Sequence, residues 1–127
     1  MPIKIYQADT WCSKAVRLRD GACVNCGTTE TLQAMHIYGR RNRALRWSLD
    51  NLITGCAACH RKFTESPHAF IDFCNAYLGE GHMDILREKS RGRFKTDEKI
   101  RSEISKHYRQ EVQRKEADDE YEIVSYN

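Results

Sequence analysis

Cys23 and Cys26 form one C-x-x-C pair in GACVNCGT, and Cys56 and Cys59 form another in TGCAACH. A C-x-x-C turn lets two thiolates share one ion, and two such turns complete the tetrahedral sulfur set that structural zinc prefers. Gly27 follows the first pair, where such a turn commonly needs a positive φ. His36, Asn51 and His60 bring different chemistry, with Arg40, Arg41, Arg43 and Arg46 crowding the segment between the first two. An imidazole titrates near neutral pH, which suits it to proton transfer or metal binding. Guanidinium forks match phosphate oxygens. Asn51, after Asp50, reads either as a turn residue or as the group that holds the loop and His36 in place. Cys12 and Cys74 have no partner at ligand spacing and read as buried, inert thiols, while His68, His82 and His107 read as surface or structural.

The elements that must hold these groups follow from periodicity. Thr10 can cap a helix from about Trp11 to Arg19, which Gly21 ends just before the first cysteine pair. Leu32 to Tyr38 alternates as a strand, with Leu32, Ala34, His36 and Tyr38 on one face. A polar loop covers Gly39–Arg46, Leu52–Thr54 returns as a strand, and a helix after Cys56 runs through Phe63 or Thr64. With cysteine pairs anchoring this strand-loop-strand-helix unit, His36 and His60 would face each other across a fixed gap, the rigidity that a catalytic pair requires.

Further along, Ser66 and Pro67 mark a helix start, and the stripe Phe70, Phe73, Cys74, Tyr77 and Leu78 ends at Gly79. Another helix starts near Thr96, with Ile100, Ile104, Tyr108 and Val112 recurring to about Lys115, and is expected to be the longer and more exposed one. REKSRGRFK reads as a loop whose cations have almost no acidic partner, so Arg91, Arg93 and Lys95 are expected to meet a nucleic-acid backbone. The tail EADDEYEIVSYN reverses sign and is expected to be disordered.

At 127 residues and formal net charge +3, the chain suits one small domain that benefits from a staple. MPIKIYQADTWCSKAV lacks the apolar run of a signal peptide, and no stretch approaches the roughly 20 apolar residues of a membrane span, so a soluble, cytoplasmic protein is expected. In a reducing compartment, six cysteines with this spacing favour metal over disulfides. The expected fold is α+β. It comprises an N-terminal helix (1–22), a zinc-stapled core (23–65), a helical basic arm that positions DNA (66–115) and an acidic tail (116–127).

The pattern C-x-x-C … H-I-x-x-R-R … L-R-W-x-L-D-N-L-I … C-x-x-C-H resembles the HNH endonuclease motif in its zinc-bearing form, a ββα-metal, treble-clef-like nuclease core. His36, Asn51 and His60 match its name-giving residues, and the segment from Ser66 to Lys115 is similar to the C-terminal part of the NinG/Rap recombination endonucleases of lambdoid phages. Those proteins act on branched DNA such as Holliday junctions and D-loops. The resemblance runs from about Ser13 to Lys115 and implies a DNA phosphodiesterase, working in the host cytoplasm if phage-encoded. It assigns His36 as general base, His60 as ligand to a catalytic Mg²⁺ or Mn²⁺, Arg40 as phosphate clamp and Asn51 as the residue that orients the loop. Arg41, Arg43 and Arg46 would join the basic arm in binding DNA, and paired cuts across a junction would suit a homodimer.

Where many HNH enzymes carry an aspartate or histidine directly before the base, this chain has Met35, and a thioether is a poor ligand for a hard cation. Gln33, Asp50, water or DNA phosphates would have to supply the missing oxygen. A zinc deaminase needs H-x-E, and His36 is followed by Ile37 and Tyr38. A non-catalytic zinc-finger DNA-binding or adaptor protein would use the same fold without needing the two histidines.

Overall fold

The first helix, α1 (Gln7–Asp20), starts earlier than its apolar periodicity indicates because the Asp9 carboxylate reaches back and accepts the Tyr6 N–H at 2.8 Å. That satisfies one of the donors a helix N-terminus leaves open, so Thr10 lies inside the helix and caps nothing. The computed structural model describes residues 2–127. After α1 come β1 (Leu32–His36), a single 3₁₀ turn (Leu49–Asn51), β2 (Leu52–Cys56), α2 (Ala57–Glu65), α3 (Pro67–Leu78), α4 (Glu80–Ser90) and α5 (Glu98–Ala117). This is a small α+β fold in which five helices surround one two-stranded antiparallel sheet. Leu32 stands opposite Cys56, and His36 opposite Leu52.

Two apolar clusters share the interior. One joins Ala8, Cys12, Ala15 and Val16 of α1 to Ile104, Tyr108 and Val112 of α5, with Trp47, Leu49 and Leu52 between them. The other joins Met35 and Ile53 of the sheet to Phe63 of α2, Cys74 of α3, and Met83 and Leu86 of α4, alongside Cys23, Cys56 and Cys59. Gly55 on β2 leaves room for Met35 in this second packing: a Cβ there would lie 2.5 Å from the Met35 sulfur, and the methionine side chain would have to move.

Three expectations are corrected. Helix α5 is not an exposed arm, because its stripe is covered by α1; the Tyr108 hydroxyl also donates to the Trp47 carbonyl and accepts the Tyr126 N–H. The acidic tail is ordered. Glu111, only 1 % exposed, accepts from the Tyr121 hydroxyl at 2.8 Å and the Val124 N–H at 2.7 Å. Burial opposes ionisation of Glu111, but these donors and Arg114 hold its carboxyl below the ordinary carboxylate range. Further on, Ser125 Oγ accepts the Leu49 N–H and Asn127 Nδ2 donates to the Ala44 carbonyl, so the tail lies across the loop between the strands. Finally, the segment REKSRGRFK is helical through Ser90, because α4 occupies Glu80–Ser90, and only its second half is loop.

Candidate functional site

The four cysteines converge. The Sγ atoms of Cys23, Cys26, Cys56 and Cys59 all lie within 4.8 Å of one another. Cys26 and Cys56 are 3.7 Å apart, close to the edge of about 3.8 Å that a tetrahedron with zinc–sulfur bonds of about 2.3 Å would have. Donors surround the sulfurs: Cys26 N–H points to Cys23 Sγ at 3.5 Å, Cys59 N–H to Cys56 Sγ at 3.4 Å, and Asn25 Nδ2 to Cys59 Sγ at 3.3 Å. Cys56 is also the N-cap of α2, where the helix end favours a thiolate. Burial works against ionisation of Cys23, yet the N–H groups around it bring its thiol down to about 6. Gly27, at φ 82, completes the first turn as its position indicates. The arrangement could hold a structural metal such as zinc. Cys12 and Cys74 lie apart, pushed up to about 12 and about 11 by burial, and are inert thiols.

Next to this staple, β1 and α2 bring His36 and His60 to the wall of one cleft of about 620 Å³, shared with Arg40 and with Asp9, Ser13 and Arg17 of α1. His36 Nε2 lies 3.2 Å from the Arg46 carbonyl oxygen. A carbonyl can only accept, so Nε2 carries the proton and Nδ1 keeps its lone pair. His60 Nδ1 lies 2.7 Å from Gln33 Oε1, and with the amide oxygen facing the ring, Nδ1 donates and Nε2 keeps the lone pair. Burial, reinforced by the Arg40 charge, brings His36 down to about 4, and burial also lowers His60. Both imidazoles are therefore neutral at neutral pH.

The loop between the strands is fastened from several sides. Asn51, wholly buried, accepts the Tyr38 N–H at 2.8 Å and donates to the Tyr38 and Leu45 carbonyls at 2.9 and 3.1 Å. Of the two readings of Asn51, the structure gives the one that clamps the loop; Asn51 does not line the cleft. Arg46 corrects an expectation, because it does not face a ligand. Its guanidinium is buried against Asp9, with Nε to Oδ1 at 2.9 Å and Nη2 to Oδ2 at 2.7 Å. Arg41 and Arg43 are on the surface, as are Arg91, Arg93 and Lys95. The expectation that the cations of REKSRGRFK have almost no acidic partner is corrected, since Arg87 pairs with Asp84 at 3.7 Å, Lys89 with Asp50 at 3.8 Å and Arg91 with Glu88 at 3.7 Å. The structure joins these two basic segments: Asn42 Nδ2 donates to the Ser90 carbonyl at 2.9 Å, and Gly92 sits beside Ala44.

Asp9 and Gln33 are the residues that sequence reasoning passed over or left undecided at this site. Asp9 has no motif around it, and its partner is 37 positions away. Gln33 is committed to His60. Asp50, the other candidate oxygen donor, pairs with Lys89 at 3.8 Å and is not in the cleft wall, while Met35 is 2 % exposed. Among the described residues no helix is long and apolar enough to cross a membrane. Comparison with protein-family models, curated proteins and solved structures returns no match.

Proposed function

We propose that this chain is a metal-dependent HNH-type endonuclease that hydrolyses DNA phosphodiester bonds, with branched DNA as its preferred substrate. The observation that carries the reading is the pair of neutral histidines on one cleft wall, each with one ring nitrogen tied to a carbonyl-type oxygen and the other left with a lone pair, beside Arg40. The preference for branched DNA comes from the NinG-like resemblance of the sequence.

In this reading His36 takes the proton of the attacking water at Nδ1, while its Nε2–H stays on the Arg46 carbonyl. Arg40 holds the phosphate and offsets the charge that builds up as the bond breaks. Burial is the main reason that His36 is held low, and the positive charge of Arg40 adds to it; a phosphate anion seated on Arg40 would offset the Arg40 part. His60 Nε2 is the protein nitrogen available to a divalent ion. Asp9 is engaged by Arg46 and Met35 is buried, so the remaining positions would fall to water and phosphate oxygens, an arrangement that hard cations accept. When bound, Mg²⁺ or Mn²⁺ supplies Lewis-acid stabilisation of the leaving oxygen. Arg41, Arg43, Arg91, Arg93 and Lys95 extend the positive surface along which flanking DNA would lie.

The test incubates the zinc-loaded protein with a synthetic four-way junction and a matched linear duplex, each with Mg²⁺, with Mn²⁺ and with a chelator too weak to strip the cysteine site. Metal-dependent cutting that favours the junction is expected. His36→Ala should still bind the junction while cleavage falls by about 10²–10⁴-fold. Cutting retained by that variant would remove His36 as base. Binding without cutting under every metal would leave a zinc-stapled DNA-binding protein in place of a nuclease.

A further inference from the structure

Burying an arginine and an aspartate together is a poor way to gain stability, because both lose their hydration and an apolar pair of similar volume often does as well. Here the two side chains are only 7 % and 8 % exposed, and Asp9 lines the cleft beside His36. Their geometry is specific. Besides its two bonds to the Asp9 carboxylate, Arg46 Nη2 donates to the Lys4 carbonyl at 2.6 Å, and the ring of Trp47 lies 4.9 Å from the guanidinium carbon. Asp9 is itself held by the Tyr6 N–H at the start of α1. The main chain of Arg46 is thus moored to the N-terminal segment, and its carbonyl is the one that meets His36 Nε2 at 3.2 Å.

We infer that Asp9 and Arg46 are positioning residues for His36: their ion pair fixes the carbonyl that sets which ring nitrogen carries the proton and how the imidazole is turned. Neither touches the reacting atoms. The relay runs from Asp9 through the guanidinium and main chain of Arg46 to the ring of His36. The inference rests on the nuclease reading for its kinetic consequence but not for its structural one. Lysine at position 46 would keep the charge yet could not bridge both carboxylate oxygens and the Lys4 carbonyl at once.

The test uses the zinc-loaded full chain with ¹⁵N-labelled histidine. In the wild type the His36 Nε2–H should give a ring N–H signal protected from solvent exchange at neutral pH. In Arg46→Lys, and in Asp9→Leu/Arg46→Met, which removes both charges and keeps the volume, that signal should broaden or vanish. On the four-way junction with Mn²⁺, kcat should fall by about 10–100-fold while Kd for the junction changes by less than about twofold. A protected signal persisting in the double variant, at wild-type melting temperature, would overturn the proposal. So would an unchanged ring proton in Asp9→Asn combined with a higher half-saturating Mn²⁺ concentration, which would assign Asp9 to the ion. If the wild type cuts no DNA but the ring proton responds as stated, the positioning role stands and the nuclease reading falls.

Discussion

Around α1 and α5 the interior is made of large apolar side chains drawn from distant parts of the chain, with Trp47 and Tyr108 at its centre. Around the sheet and α2 the interior is as well populated but includes Cys23, Cys56 and Cys59 among its buried members. The first half is closed by area removed from water, and the second is short of such area where its cysteine sulfurs converge. A metal tetrahedron is the natural completion there, since short segments with few apolar residues gain folding energy from the ion itself. The cleft opens where the halves meet: His60 belongs to the cysteine side, Asp9 to α1, and His36 ends the strand between them. Neither half builds the cleft alone.

The sharpest way to break this contrast is Cys56→Ser. Metal binding worth on the order of 10 kcal/mol should be lost, with zinc content falling in the purified protein. Hydrogen exchange should then show β1, β2 and α2 unprotected while α1 and α5 keep protection; equal loss everywhere would make the two halves one cooperative unit. Ile104→Ala probes the other side. Deleting this 1 % exposed side chain should cost about 2–5 kcal/mol in denaturant melts and leave metal content unchanged. Zinc released by that variant would show that the cysteine side depends on the helices.

The smallest effect lies at the join and is read against pH. Burial first, and then Arg40, hold His36 at about 4 when folded against 6.5 ordinarily, so between those values the unfolded chain binds the extra proton. Stability from this group is complete above pH 6.5 and lost as pH falls to about 4, amounting to about 3 kcal/mol. His36→Gln should flatten the melting-temperature profile across that window; an unaltered slope would mean that the ring is not desolvated.

Local signals carried much of this architecture. The cysteine spacing, the strand over Leu32–His36, the Ser66–Pro67 start of α3 and the apolar stripe of α5 each depend on residues a few positions apart, and each is found in the structure. What was not legible depends on distant partners. Helix α4 buries only Met83 and Leu86, too sparse a stripe to stand out after Gly79. The tail is acidic enough to suggest disorder, and what orders it are distant partners: its hydrogen bonds to Glu111, Leu49, Ala44 and Tyr108, and the packing of Ile123 and Tyr126 on the α1–α5 cluster. Within an arginine-rich loop, composition could not single out Arg46 as the one turned inward to Asp9.

Both tryptophans of the chain, Trp11 and Trp47, lie in or against the α1–α5 cluster, whereas the rings around α2 are Phe63, Phe70 and Phe73. Trp47 is 1 % exposed, and its indole Nε1 is buried without a hydrogen-bond partner among the described residues. Its emission should therefore be blue-shifted, and tryptophan fluorescence reports on one side of the molecule only. Stripping the metal would leave that colour in place for as long as α1 and α5 hold together, so an emission scan and a circular-dichroism scan of one sample would disagree, and the gap between them would measure how independently the two sides melt.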